Sequence, residues 1–270
     1  MLDYDREAPR YDATRGGDAR AGAAADAIEA LMSLGLAAGE SPGLAAGVRI
    51  ADVGCGTGIV TMRLVRAGRS VIGIDRSAGM AAVAAGRLPG RITLGNVTRV
   101  PLASRSVDVV TMVWLLHLLP AAGVAAAVAE AGRVLRPGGL LITTVGKNDA
   151  AFAGADDAAA IVGPVRARFD YDQTDRLARV LAVGSGHGLA LAAQATFAGM
   201  GQGLSPRRWR TRLRADEMPW AAAAGRERID TVCAELARLP DQDRARPDPV
   251  YQLAALRKDL LLVGTPGRGR

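Results

Sequence analysis

The stretch Ile50-Ala51-Asp52-Val53-Gly54-Cys55-Gly56-Thr57-Gly58-Ile59-Val60, "IADVGCGTGIV", decides how this chain is read. A short apolar run ends in an aspartate, and glycines then occupy every second position, 54, 56 and 58. A helix-compatible stretch, "IVTMRLVRAG", follows. Strand, bare turn and helix in that order form a place where a ligand can approach the main chain with no Cβ in the way. In an open parallel sheet that place is the carboxyl end of a strand, where the strand order reverses.

Working outward, apolar runs alternate with helical stretches. "VRIADVG", "SVIGIDRS", "RITLGNV", "SVDVVTMVWLL" and "LLITTVG" have strand character, and "AQATFAGMG" and "VYQLAALRKDLLLVG" add two more candidates. Helices are expected over residues 18–35 (Asp18 as cap, Gly35 as stop), 58–68, 77–87 and 120–135, the last ended by "RPGG". Further helices are expected from Ser205 through "SPRRWRTRLRADEMPW" and over "GRERIDTVCAELARLP". Strands alternating with helices imply a doubly wound parallel sheet with right-handed crossovers and helices on both faces. After Gly146 the pattern loosens, and "LAAGESPGLAAG" reads as a loop.

Composition narrows the class. The chain has 270 residues, 49% hydrophobic and 23% charged, ordinary for one elaborated globular domain. No apolar run is long enough to span a bilayer. The polar, acid-bearing start "MLDYDREAPRYDATRGG" does not resemble a leader, so a cytoplasmic location is expected. Cys55 and Cys233 stand far apart, and only His117 and His187 accompany them, so no metal site is expected. The formal charge of +7 is carried almost wholly by arginine, with lysine only at Lys147 and Lys258. With heavy alanine and glycine use, that pattern points to a GC-rich bacterial genome more than to nucleic acid.

Spacing and charge then address the ligand. Dinucleotide enzymes use G-x-G-x-x-G, with a helix N-terminus facing a pyrophosphate. Here the pattern is D-x-G-x-G-x-G, and Asp52 would repel a pyrophosphate but attract an ammonium. S-adenosylmethionine (SAM) carries an ammonium, a sulfonium and no phosphate, so the charge logic selects it. Asp75, closing the next strand, stands where an acid accepts ribose hydroxyl hydrogen bonds.

These residues also carry a family resemblance. "IADVGCGTG" and "VIGIDRS" resemble motifs I and II of the class I SAM-dependent methyltransferases. "LGNVTRVPLASRSVDVV" and "EAGRVLRPGGLLITTV" resemble the blocks that follow, and "YDREAPRYDATRGG" resembles the N-terminal segment of the small-molecule branch near the quinone and polyketide methyltransferases. The likeness covers roughly residues 4–146. It implies a Rossmann-like, mostly parallel seven-stranded sheet with a cap insertion. It divides one domain into an N-terminal helical segment over the cofactor (1–46), a SAM-binding core (47–146), a variable cap (147–205) and C-terminal helices with a closing strand (206–270).

The resemblance also implies roles. Asp52 with the Gly54, Cys55, Gly56 and Gly58 turn would hold the methionine part, Asp75 and Arg76 the ribose side, and Asn96 and Val97 the adenine. Met112 and Val113 would line the cofactor by main chain, and Tyr11 and Arg15 would fold over its methionyl end. Asn96 replaces the family's usual aspartate and Val107 a common phenylalanine. An adenine amino contact would then run through the Asn96 side-chain carbonyl, and Asn96 could equally shape a turn.

Methyl transfer from a sulfonium needs an in-line nucleophile, and a base only where the acceptor must lose a proton. His117 in "VWLLHLLP" is the candidate base by its rim position, while Leu115, Leu116, Leu118 and Leu119 argue for a packed structural role. His187 and the acids and tyrosine Asp170, Tyr171 and Asp172 are further candidates. Trp114, Trp209 and Trp220 could wall an acceptor site or fill core. The five arginines of "RRWRTRLR" fit a solvated helix face, an acidic substrate group or RNA phosphates. The expected protein is a monomeric or homodimeric methyltransferase acting on a small molecule, with a bacterial natural product as the expected acceptor. An RNA methyltransferase and a non-methylating SAM-binding scaffold are the alternatives.

Overall fold

The computed structural model describes residues 3–37, 47–152, 156–169, 173–215 and 218–260. Seven strands form one sheet: β1 (Val48–Val53), β2 (Arg69–Asp75), β3 (Ile92–Leu94), β4 (Val107–Met112), β5 (Leu135–Val145), β6 (Leu189–Ala198) and β7 (Val250–Lys258). Their spatial order is β3-β2-β1-β4-β5-β7-β6. The first five are parallel, and β7 runs antiparallel to both β5 and β6. The order reverses between β1 and β4, so the glycine turn leaves the carboxyl end of β1 at the switch point, as the sequence predicts.

The helices are α1 (Tyr4–Glu7), α2 (Tyr11–Thr14), α3 (Gly17–Ala37), α4 (Thr61–Leu64), α5 (Ala78–Arg87) and α6 (Ala121–Val134). They continue with α7 (Asp157–Arg166), α8 (Leu177–Ser185), α9 (Pro206–Arg214), α10 (Pro219–Ala224) and α11 (Arg226–Ala237). In α6 the buried residues Val124, Ala127, Val128, Ala131 and Val134 recur at three- and four-residue steps, the single apolar stripe a sheet-covering helix needs. That stripe packs with Val180 of α8 on Val53, Val110, Met112 and Leu141. On the other face Ile28, Leu31 and Met32 of α3 pack on Ile50, Val109, Leu140 and Ile142. Neighbouring strand residues therefore point into opposite layers, which is why both positions of each central strand are apolar.

Asp108 locks the centre. Its Oδ2 accepts from the Arg49 N–H at 2.8 Å and its Oδ1 from Arg136 at 2.9 Å, joining β1, β4 and the start of β5.

Four expectations change. The helix expected over 58–68 shrinks to the four residues of α4, because Gly58 has φ +74° and Val65 is already extended. Gly35 does not stop α3: it lies inside the helix where a Cβ would come 2.4 Å from Leu140 Cδ1, so it permits close approach to the sheet. The single helix expected from Ser205 to Trp220 breaks after Arg214 into α9 and α10, although Ser205 does cap it by accepting from the Arg208 N–H. Finally, the stretch 147–205 is not all cap. Its α8 and β6 belong to the sheet layers, while α7 joins α9, α10 and α11 in a separate helical cluster around Trp209, Leu213 and Leu236.

Candidate functional site

Each glycine of the turn answers a different demand. Gly54, Gly56 and Gly58 have φ of +74°, +56° and +74°, conformations a side chain disfavours. A Cβ at Gly54 would come 2.8 Å from Leu115, and one at Gly58 3.0 Å from Ala84. At Gly56 it would meet nothing within 4 Å, so there the chain presents bare backbone. The Gly54 and Cys55 N–H groups donate to Ile74 O, tying the turn to β2. Asp75 ends that strand, and its Oδ2 accepts from the Gly56 N–H at 2.8 Å while Oδ1 accepts from Ser77 N–H at 2.9 Å. A carboxylate has about four lone-pair sites, so acceptor capacity remains. Burial beside Asp52 and Asp75 raises the Cys55 thiol, which makes it a filler and not a nucleophile.

Asp52 is placed differently from the charge argument. Its side chain is turned into the core, where Oδ2 accepts from Thr61 Oγ1 at 2.5 Å and Oδ1 from Thr111 Oγ1 at 2.7 Å. Burial raises its pKa, and the two hydroxyls oppose that shift. The carboxylate braces α4 and β4 against the turn, and does not present itself to a ligand's ammonium. Thr111→Val keeps volume and strand preference but removes one donor from a buried acceptor, so stability should fall by about 1–3 kcal/mol. Chemical denaturation reads this directly, and an unchanged midpoint would show the hydroxyl to be dispensable.

The N-terminal helices are fastened over the turn by residues that sequence reasoning passes over. Asp12 accepts from Thr57 Oγ1 and from Arg87, each at 2.6 Å. Asp5 accepts from Ser77 Oγ at 2.6 Å and from the Gly79 N–H at 2.8 Å. Only their spacing from "YDREAPRYD" could have signalled them, and a lone acid in a polar segment carries no such mark.

Beneath those helices lies a cavity of about 280 Å³. Tyr4, Tyr11, Arg15 and Arg20 line one side, and Trp114, His117, Lys147, Arg212, Trp220 and Tyr251 are among the residues lining the rest. Tyr4 and Tyr11 belong to α1 and α2, which Asp5 and Asp12 tie to Ser77 and Thr57, so the cavity lies close to the turn. Trp114 stands just past the end of β4 with φ +54°, strained for a bulky residue, and its backbone N–H donates to Thr144 Oγ1 at 2.8 Å. The Arg20 guanidinium lies 3.5 Å from the centre of its ring, and Phe197 and Tyr251 meet it edge-on at 5.7 and 5.8 Å. Burial, then Lys147, then Arg20 push the His117 pKa well below the usual histidine value, and its buried Nδ1 has no hydrogen-bond partner.

Residues 51–143 match the family model of the methyltransferase domain. Over those residues the chain is similar to methyltransferases. An uncharacterized methyltransferase of Mycobacterium tuberculosis is 36% identical over 129 residues, 46% of this chain and 52% of the relative. A demethylmenaquinone methyltransferase of Tropheryma whipplei is 35% identical over 106 residues, 37% of this chain and 42% of the relative. The chain thus spans about half the length of the curated relatives it matches. Two solved structures share the fold. The [4+2]-cyclase SpnF has a TM-score of 0.55 at 21% identity, covering 96% of this chain and 94% of its own. Magnesium protoporphyrin IX methyltransferase from Synechocystis, solved with bound S-adenosylhomocysteine (SAH), has a TM-score of 0.50 at 12% identity, covering 88% and 84%.

Around the matched region the expected residues sort by place. Tyr11, Arg15, Trp114, His117 and Trp220 gather at the cavity. Arg76 is exposed, and its charge acts on the Tyr4 hydroxyl. Asn96 spends its side-chain carbonyl on the Thr98 N–H and hydroxyl, both at 3.0 Å, so the turn-shaping role holds and the route to an adenine amino group through that oxygen is taken. Val97 is buried next to it, and Met112 and Val113 are buried at the end of β4, where Met112 O accepts from Thr143 Oγ1 at 2.9 Å. His187 lies exposed in the turn between α8 and β6, at the amino end of the parallel strands, and is no part of the site. Trp209 is core, 5.6 Å from Phe152. Asp170, Tyr171 and Asp172 lie outside the described residues. Among the described residues no three His, Cys, Asp or Glu gather as a metal cluster, and no helix is long and apolar enough to cross a membrane.

Proposed function

We propose that the protein is a SAM-dependent methyltransferase whose acceptor is a small molecule, in the biosynthesis of a bacterial natural product. The observation that carries it is the bare backbone at Gly56, held 2.8 Å from Asp75 at the switch point of the sheet. SAM fits these residues. The Gly54 to Gly58 backbone would hold its methionine part, Asp75 would accept from its ribose hydroxyls, and Tyr11 and Arg15 would cover it from α2 and the residue that caps it. A pyrophosphate fits poorly, since α4 has only four residues and starts three positions after the last glycine.

When bound, SAM supplies an electrophilic methyl group on a sulfonium. The chain's part is to orient the acceptor, exclude water with Trp114, Trp220 and the tyrosines, and receive a proton at His117. The α9 arginines support a small acceptor over RNA. Arg207 pairs with Asp243, Arg210 bonds Gln242 at 2.8 Å, and Arg212 lines the cavity, so three of the five arginines are engaged within the fold. The likeness to a [4+2]-cyclase is a reminder that this fold hosts other chemistry, so turnover is the decisive measurement.

Calorimetry should show SAH binding with no comparable binding of NAD. SAH should also accumulate when SAM is incubated with the protein and a small-molecule extract of a natural-product-forming bacterium. Preferential NAD binding would overturn the cofactor, and SAH binding without turnover would leave a non-methylating protein.

A further inference from the structure

The cavity beneath the N-terminal helices carries a charge imbalance that the proposed cofactor does not relieve. Arg15, Arg20, Lys147 and Arg212 line it, and no carboxylate does among the described residues. Arg20 is 5% exposed. Its Nη1 donates to Arg15 O at 2.7 Å, its ring-facing side lies on Trp114, and its buried Nε has no hydrogen-bond partner. The Lys147 Nζ has the Asn148 side-chain oxygen at 3.3 Å, while Asp175 bonds the backbone N–H of Lys147. Bringing such charges together away from water costs free energy unless an opposite charge joins them. SAM brings one carboxylate but also an ammonium and a sulfonium, a net positive charge. Loading the cofactor therefore deepens the imbalance.

We infer that the methyl acceptor is a small aromatic acid whose oxyanion, carboxylate or phosphate, is held by Lys147 and Arg20. This rests on the methyltransferase reading above. The aromatic part follows from Trp114, Trp220 and Tyr251, whose rings wall the same space. The size follows from the volume of about 280 Å³, at the small end of ligand sites. Lys147 and Arg20 at one oxyanion would favour charge-assisted hydrogen bonds, which are stronger than neutral ones.

The test titrates matched pairs into the SAH-loaded protein, following tryptophan fluorescence. The pairs are 4-hydroxybenzoate against 4-hydroxybenzamide, and 4-hydroxyphenyl phosphate against hydroquinone. In at least one pair the acid should bind tenfold or more tightly than its neutral partner, and the pair that does so separates carboxylate from phosphate. Lys147→Gln should erase most of that preference and Lys147→Arg should restore it, with melting curves confirming that both variants fold. The preference should also fade as the pH rises past about 8, where burial and the neighbouring arginines place the Lys147 ammonium. If no acid outbinds its neutral partner, or Lys147→Gln leaves the preference intact, the inference falls. Loss of SAH binding is a separate result. It would sink the cofactor, and the same pairs titrated into the protein alone would still read the cavity.

Discussion

Asp75→Ala is expected to weaken SAH binding by roughly ten- to a hundredfold, since a hydrogen bond to a charged group is worth about 1.5–3 kcal/mol. The carboxylate does two things at once. It holds the Gly56 and Ser77 N–H groups at 2.8 and 2.9 Å, and it offers its remaining lone pairs at the end of β2. Asp75→Asn separates the two. An amide oxygen can still accept from one N–H and shape the turn, but it loses the charge that strengthens a ribose contact. The asparagine variant should therefore melt close to the parent while binding SAH several-fold more weakly. Calorimetry alongside a thermal melt makes the comparison, and an unchanged dissociation constant in Asp75→Ala would remove Asp75 from the site.

The fold is legible in the sequence because its signals are local. Val, Ile and Leu runs bounded by glycine mark strands, and the alternation with helices fixes the parallel pairing of β1 to β5, while the antiparallel direction of β7 has no such local mark. What misleads is equally physical. Gly58 looks like a helix start in one dimension, yet its positive φ forbids one. Gly35 looks like a stop, but close packing on Leu140 outweighs its poor helix propensity. Charge logic assigns Asp52 to a ligand's ammonium. Its partners, Thr61 and Thr111, lie 9 and 59 residues away, and only the folded chain brings them to it. The cavity's cations are the least legible. Arg15, Arg20, Lys147 and Arg212 come from the N-terminal segment, α3, the residue after Gly146 and α9, and nothing in their separate contexts says that they converge.

His117→Ala is expected to lower kcat by about 10²–10⁴-fold, the usual contribution of a general base, with SAH affinity nearly constant. The leucines around it suggest a packed histidine. In the structure they divide: Leu116 is fully buried and Leu118 is 40% exposed, so this 3₁₀ turn buries Leu116 and leaves the imidazole at the cavity wall. The pH dependence follows from the groups around it. The form that accepts a proton is neutral imidazole, and a depressed pKa keeps it neutral as the pH falls. The kcat should thus stay level through the ordinary histidine range near about 6.5 and decline only well below it. Of the other lining groups, burial pushes the Tyr4 hydroxyl up to about 12 and raises Tyr11 and Tyr251. Lys147, near 8, is then the remaining wall group that changes charge close to neutrality, and its loss should enter through KM and not kcat. A structural histidine predicts the opposite pattern for the variant: a lower melting temperature with turnover preserved in the folded fraction. A folded, SAH-binding His117→Ala protein with parental kcat would rule out the base.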